Sequence, residues 1–416
     1  MNKYFDIKDK VYDITEKYPE TIDIFVAHGF DQLKNEKLRK IMGRTITMEM
    51  ACLSKRVNVQ LFEDKLVEAI EQNLFSEDKT LGGTKKDDGG DIKIEGVLPC
   101  PVRIPLLEGF SQWIEENEEK LGFKIDYELQ SANIGVDWLR AKFEEDKEED
   151  LSDIFMSAGF DLFFDKNLIG KYKSKGIFED ISGFERLNPD FQNEEIDFRD
   201  PHKQYTVMGG VPAVFLVNID ELNGREMPKT WEDLLKAEFE ESVSLPLHDF
   251  DLFNAMLLTI YRLYGEEGIK KLGKTLLRSM SPAEMVKSNI KRGDMKKPTV
   301  TVMPYLFTQM VKDTSPLKPV WPEDGAILSP IFLLTKKESK EKTKPIVDFF
   351  LSQEVGELLA DKGGFPSVHP QVDNKFTKDR KFLWLGWDFI NSHDDIGELI
   401  LKCLKIFHTA KGEEAN

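Results

Sequence analysis

Hydrophobic positions change their period twice along this chain. Up to about residue 73 they recur at helical spacing. Asp13 or Thr15 opens a first helix. Thr21 is placed to cap a second, ahead of Ile22, Ile24, Phe25 and Val26, and His28-Gly29-Phe30 closes it with a glycine. Lys37 to Met42 makes a short basic helix, and Thr47 caps another. Val59, Leu61, Phe62, Leu66 and Ile70 share one apolar face. These residues, 1–73, read as a small all-α unit. Residues 74–91 are polar and glycine-rich and read as a flexible linker.

From Asp91 onward strand and helix patterns alternate. Ile92–Leu98 is strand-like. Pro99, Pro101 and Pro105 forbid its continuation and predict a loop, with helical spacing from Ile104 to about Leu121. Strands are expected over 123–129 and 152–159, and helices over 137–147 and 160–172. Residues 204–218 read as two extended stretches around a Gly209-Gly210 bend. Thr230 caps a helix, 243–246 is a strand, and His248-Asp249 opens a long helix. Residues 300–304 and 326–334 are buried strands, 343–362 is a helix, GGFPSVHP is a loop, and a last helix runs over 394–408. Repeated βα units imply an α/β fold with a mostly parallel sheet.

The bulk numbers narrow the function. A net charge of -18 and a pI near 5.0 exclude nucleic acid as the main partner, since phosphate binding needs a concentrated basic surface. Cys52, Cys100 and Cys403 are too scattered for a disulfide framework or a CxxC site, and Cys52 reads as a small buried hydrophobe. The stretch MNKYFDIKDKVYDITEKYPE has no signal-peptide core and no lipid-attachment cysteine, and no window suits a membrane span. A cytoplasmic location is expected. No GxxxxGK loop, HExxH spacing or paired acid and base marks an enzyme.

Two resemblances sharpen this picture. The run YPETIDIFVAHGFDQLKNEKLRKIMGRTITMEMACLSKRVN, followed by FEDKLVEAI, resembles a small helical domain of unknown function from anaerobe and hybrid-cluster-associated proteins. Some such domains carry a cysteine pair after the Gly-Phe position. Asp31-Gln32-Leu33 stands there in this chain, so a redox role does not carry over. The order of PKTWEDLLKAEFEESVSLP, IYRLYGEEGIKKL, VTVMPYLFTQM, ILSPIFLLTKK and FLSQEVGELLADKGGFPSVHP resembles the type II periplasmic substrate-binding proteins of ABC transporters, near the iron and small-ion branch. That resemblance implies two α/β lobes joined by two crossing hinge strands, near 206–217 and 324–335, within residues 92–416. Lobe one is then about 92–205 plus 336–408, and lobe two about 218–323. It implies a non-enzymatic protein that closes over a small polar or anionic ligand, as a sensor, carrier or buffer. The helical unit would then be the element that docks a protein partner.

Loops after strands line the crevice of such folds. In the first, Arg103 either holds an anion or is a solvated side chain, and Cys100, set between Pro99 and Pro101, either ligates a soft metal or lines the wall. Ser157, Ala158 and Gly159 make a second loop of small residues open to a ligand. His248 is a candidate metal ligand, Asp249 is first of all a helix cap, and Gly209 and Gly210 are candidate hinge residues. Tyr305 stands where iron-binding relatives carry two adjacent tyrosines, but Leu306 fills the second position. No cofactor is assigned, and the metal identity, if there is one, stays open. A metallocofactor chaperone built on Cys100 and a redox or enzymatic module are the alternative readings.

Overall fold

The computed structural model describes residues 4–55, 59, 62–63, 65–67, 69–70, 84–85, 90–98, 100–131, 138–139, 143, 148, 151–247, 249–280, 285, 296–311 and 314–412. Near the start lie α1 (Val11–Lys17), α2 (Thr21–Ala27), α3 (Glu36–Met42) and α4 (Met48–Lys55). Their apolar faces, with Phe62, Leu66 and Ile70, form a separate core around Phe25, Met48 and Cys52. The Thr47 cap is present, its hydroxyl accepting from the Met50 N–H at 3.2 Å. Two other caps differ. α1 starts at Val11, and the Thr15 hydroxyl donates back to the Val11 carbonyl. Thr21 is the first helical residue and its hydroxyl donates to Tyr18 O at 2.6 Å, so Glu20 takes the cap position. In both cases a carbonyl one turn upstream competed for the hydroxyl. Burial pushes the Cys52 thiol up to about 11, in keeping with a packed side chain.

The rest is built on one mixed sheet. Its strands are β1 (Thr84–Lys85), β2 (Ile92–Leu98), β3 (Ile125–Ser131), β4 (Ile154–Ala158), β5 (Tyr205–Asn218), β6 (Val243–Leu245), β7 (Leu276–Ser279), β8 (Val300–Pro304), β9 (Leu317–Val320), β10 (Ala326–Thr335) and β11 (Phe382–Leu383). The order is β1-β3-β2-β4-β10-β5-β8-β6-β7, with β11 beside β10 and β9 beside β5. The helices are α5 (Cys100–Leu121), α6 (Asp161–Phe164), α7 (Trp231–Leu234), α8 (Phe250–Thr275), α9 (Tyr305–Thr308), α10 (Lys340–Phe350), α11 (Gln353–Gly363), α12 (Trp387–Ser392) and α13 (Ile396–Lys411). This is the two-lobed arrangement: β2, β3 and β4 are parallel in one lobe, and β6, β7 and β8 are parallel in the other.

The two long strands β5 and β10 join the lobes. All of their residues are buried, as expected of strands covered on both faces. Direction follows from pairing. β4 is antiparallel to β10, and β10 to β5, so β4 and β5 run the same way; β8 is antiparallel to β5 and runs back. The carboxyl ends of the two parallel sets therefore face each other. Ala158 at the end of β4 pairs with Ile331, which pairs with Gly209; Pro304 at the end of β8 pairs with Ala213. The four residue steps of β5 between Gly209 and Ala213 span roughly 13 Å, at about 3.3 Å per residue.

Several expectations change here. Gly209-Gly210 is no bend; it lies inside the continuous strand β5. The glycines answer a close approach: a Cβ on Gly209 would lie 2.5 Å from Pro366 O, and Gly210 N–H donates to that oxygen at 3.2 Å. The proline-rich loop after β2 is instead the start of α5, from Cys100. Proline is accommodated in a first turn, where its missing N–H has no helical partner to lose. The second strand lies two residues later than its alternation implies. Helix 160–172 splits into α6 and a 3-10 segment over 169–175. Helix 343–362 is two helices, because Ser352 caps α11 by accepting from Val355 N–H at 3.2 Å. Thr84–Lys85 within the linker pairs with β3, whereas most of 74–91 lies outside the described residues, as does most of the expected helix 137–147. Gly209→Ala is expected to cost about 1–3 kcal/mol through overpacking against backbone. An unchanged midpoint in chemical denaturation would contradict that contact.

Candidate functional site

The crevice between the facing strand ends is floored by Gly209–Ala213 of β5 and Ile327–Ile331 of β10. Gly159, at φ 83, donates its N–H to Pro330 O at 2.9 Å. A Cβ there would come within 2.8 Å of Asp251 Oδ1. Ser329 Oγ donates to the Asp251 carbonyl at 3.2 Å. The end of β4 and the first turn of α8 thus meet over Ser329-Pro330, and only glycine leaves room for that meeting.

Among the residues singled out from sequence, the structure divides the set. Ser157 and Ala158 belong to β4 and are buried, with Ser157 Oγ donating to Ala158 O at 3.0 Å. Gly159 follows them and meets Pro330 and Asp251. Arg103 lies on α5, half-buried, and its Nε donates to Leu129 O at 3.1 Å. Cys100 and Pro101 are the first residues of α5, but their side chains lie outside the described residues, and so does His248. Asp249 caps α8, accepting from Leu252 N–H at 3.1 Å. Among the described residues no three His, Cys, Asp or Glu side chains gather to hold a metal ion.

Tyr305 begins α9 directly after β8. Its hydroxyl accepts from Arg380 Nη1 at 2.8 Å. The guanidinium lies 5.1 Å from the Tyr305 ring centroid, 5.1 Å from Trp321 and 5.7 Å from Phe376. A hard ferric ion needs phenolate oxygens free of such a cation. Sequence reasoning missed Arg380, Trp321 and Phe376. The available signal was the run KFTKDRKFLWLGW, where aromatic and basic residues interleave without helical period.

Burial pushes the Asp249 carboxyl up from 3.8 to about 6, against the smaller opposing effect of the Leu252 N–H. The folded value lies above the unfolded one, so the native state disfavours the ionised form. Stability is therefore expected to fall as pH rises from 3.8 to about 6, and to level off above that window. Asp249→Asn keeps a capping oxygen and should flatten this window in pH-dependent denaturation. A slope identical to that of the unmodified chain would show that Asp249 is solvated.

Comparison with known proteins agrees with this geometry. Residues 149–393 match the family described as bacterial extracellular solute-binding protein, and residues 5–62 match a domain of unknown function (DUF1858). No curated protein matches the chain. Among solved structures, the ferric binding protein from Campylobacter jejuni is 16% identical, with a TM-score of 0.53 over 77% of this chain and 99% of that one. AfuA from Actinobacillus pleuropneumoniae, with exogenous fructose-6-phosphate bound, is 16% identical, with a TM-score of 0.52 over 76% of this chain and 98% of that one. Trichodesmium IdiA (FutA), in complex with iron and citrate ligands, is 12% identical, with a TM-score of 0.52 over 77% and 98%. These likenesses establish a shared fold. With crossing strands, facing strand ends and a family match over more than half its length, the chain belongs to the bacterial extracellular solute-binding proteins, joined to an N-terminal domain of unknown function.

Proposed function

We propose that the chain binds one small polar or anionic solute between its lobes and catalyses no reaction on it. The observation that carries this reading is the convergence of two sets of parallel strand ends on the middle of β5 and β10. Open α/β sheets take ligands at such ends. The same place supports closure. The register of the crossing ladder shifts between Ile331 and Phe332, which pair with Gly209 and Val207. A ladder irregular beside the inner end of β4 lets the lobes rock about Gly209–Pro212.

Of the cargoes named for structural relatives, the anions suit this crevice better than ferric iron, because Tyr305 faces a guanidinium. The helical unit supplies a docking element for a protein partner; Ile41 and Leu53 are 66% and 67% exposed on α3 and α4.

The test is a thermal-shift panel on the full chain with phosphate, sulfate, citrate, iron salts, sugars and amino acids. A binder at a hundredfold excess over its Kd is expected to add about 2.7 kcal/mol of stability. Small-angle scattering should show compaction with the same solute. If no solute raises the melting temperature in a concentration-dependent way, solute binding is refuted.

A further inference from the structure

Tyr305, Trp321 and Phe376 form a half-open box. Their ring centroids lie 5.3 Å, 5.8 Å and 5.2 Å apart, and all three side chains are half-buried. Arg380 occupies the box. Stacking on three rings and the bond to the Tyr305 hydroxyl hold the guanidinium in one plane. Among the described residues that bond is the guanidinium's single hydrogen bond, and no carboxylate pairs with it. The neighbouring Asp379 is held below the ordinary carboxylate range first by the Thr377 hydroxyl, and Arg380 adds only a weaker charge effect. A fixed, half-buried cation therefore keeps Nε and Nη2 without an acceptor among the described residues.

The chain brings this cation to the crevice. Tyr305 follows Pro304, which pairs with Ala213 on the floor. Ser367, opposite Gly209, is tied to Asn374, whose Oδ1 accepts from Ser367 N–H at 2.8 Å. Lys381 O accepts from Trp321 Nε1 at 2.8 Å and from Ala326 N–H at 2.9 Å, which places Arg380 beside the start of β10. An internal arginine clamped this way costs a ligand little ordering, because its fork is already oriented.

We propose that Arg380 is the anion-receiving group of the crevice, and that the solute carries a planar or tetrahedral oxyanion, a carboxylate or phosphoryl group, bound through its Nε and Nη2. This deepens the proposed function and rests on it. A merely structural arginine would hold the 376–382 segment in place without touching solute.

The test uses calorimetric titration of the full chain with inorganic phosphate and with citrate. The two anions separate a phosphoryl from a carboxylate solute. Variants are Arg380→Lys, which keeps the charge and loses the fork, Arg380→Gln, and Arg103→Gln as a control. Circular dichroism and the ligand-free melting temperature check that each folds. The expected result is an anion that binds the unmodified chain and the Arg103→Gln variant alike. Arg380→Lys should then bind it about ten- to hundredfold more weakly, and Arg380→Gln more weakly still. Equal binding by folded Arg380 variants overturns the assignment and leaves solute binding standing. So does a chain stabilised only by a neutral solute or a cation. A chain stabilised by nothing in the wider panel overturns solute binding itself.

Discussion

The backbone pairing of β5 with β10 is the constraint on which the rest of the molecule depends. Residues 205–213 of β5 pair with 327–334 of β10, and all of these residues are buried. Leaving such a ladder unpaired inside the protein would strand its N–H and C=O groups away from water. The pairing therefore holds the lobes in one sheet. It also sets their sense, since each parallel set attaches antiparallel to a crossing strand and must aim its carboxyl ends inward. The register shift between Ile331 and Phe332 interrupts the ladder beside the inner end of β4.

A third chain segment crosses the same region without regular structure. Pro366 O takes the Gly210 N–H, Val368 N–H donates to Met208 O, and Asn374 ties Ser367 from both its amide and carbonyl sides. Further on, Arg380 threads the aromatic box and β11 closes on β10. Polar groups that no strand or helix satisfies are thus met by side chains and by the edge of β5 at Met208–Gly210. This strap delivers a cation to a crevice whose other walls are strand ends, glycine and a capped helix.

Local physics was legible in the chain. Val300–Pro304 and Ala326–Thr335 are largely apolar runs without a charge, and they are fully buried strands. Thr230 is followed three residues on by Asp233, and the two form a reciprocal capping box. Asp249 precedes an apolar helical stretch and caps it. Each of these depends on neighbours within a few residues, so pattern and propensity decide them. The two crossing strands, near 206–217 and 324–335, are implied by the resemblance to the type II periplasmic substrate-binding proteins.

Distant contacts decided the remainder. Gly209-Gly210 reads locally as a bend, yet it is strand, because the carbonyl of Pro366 approaches from more than a hundred residues away. Pro99 to Pro105 reads as a loop, yet a helix starts at Cys100: Pro101 falls in its first turn, where orphan N–H groups are to spare, and packing of Val102 and Leu106 rewards the helix despite Pro105 inside it. The run around Arg380 interleaves basic and aromatic residues, but it does not say where the cation goes. Its place over Tyr305, Trp321 and Phe376 exists only once three separate segments pack, since a cation's surroundings are a property of the folded surface and not of its sequence neighbours.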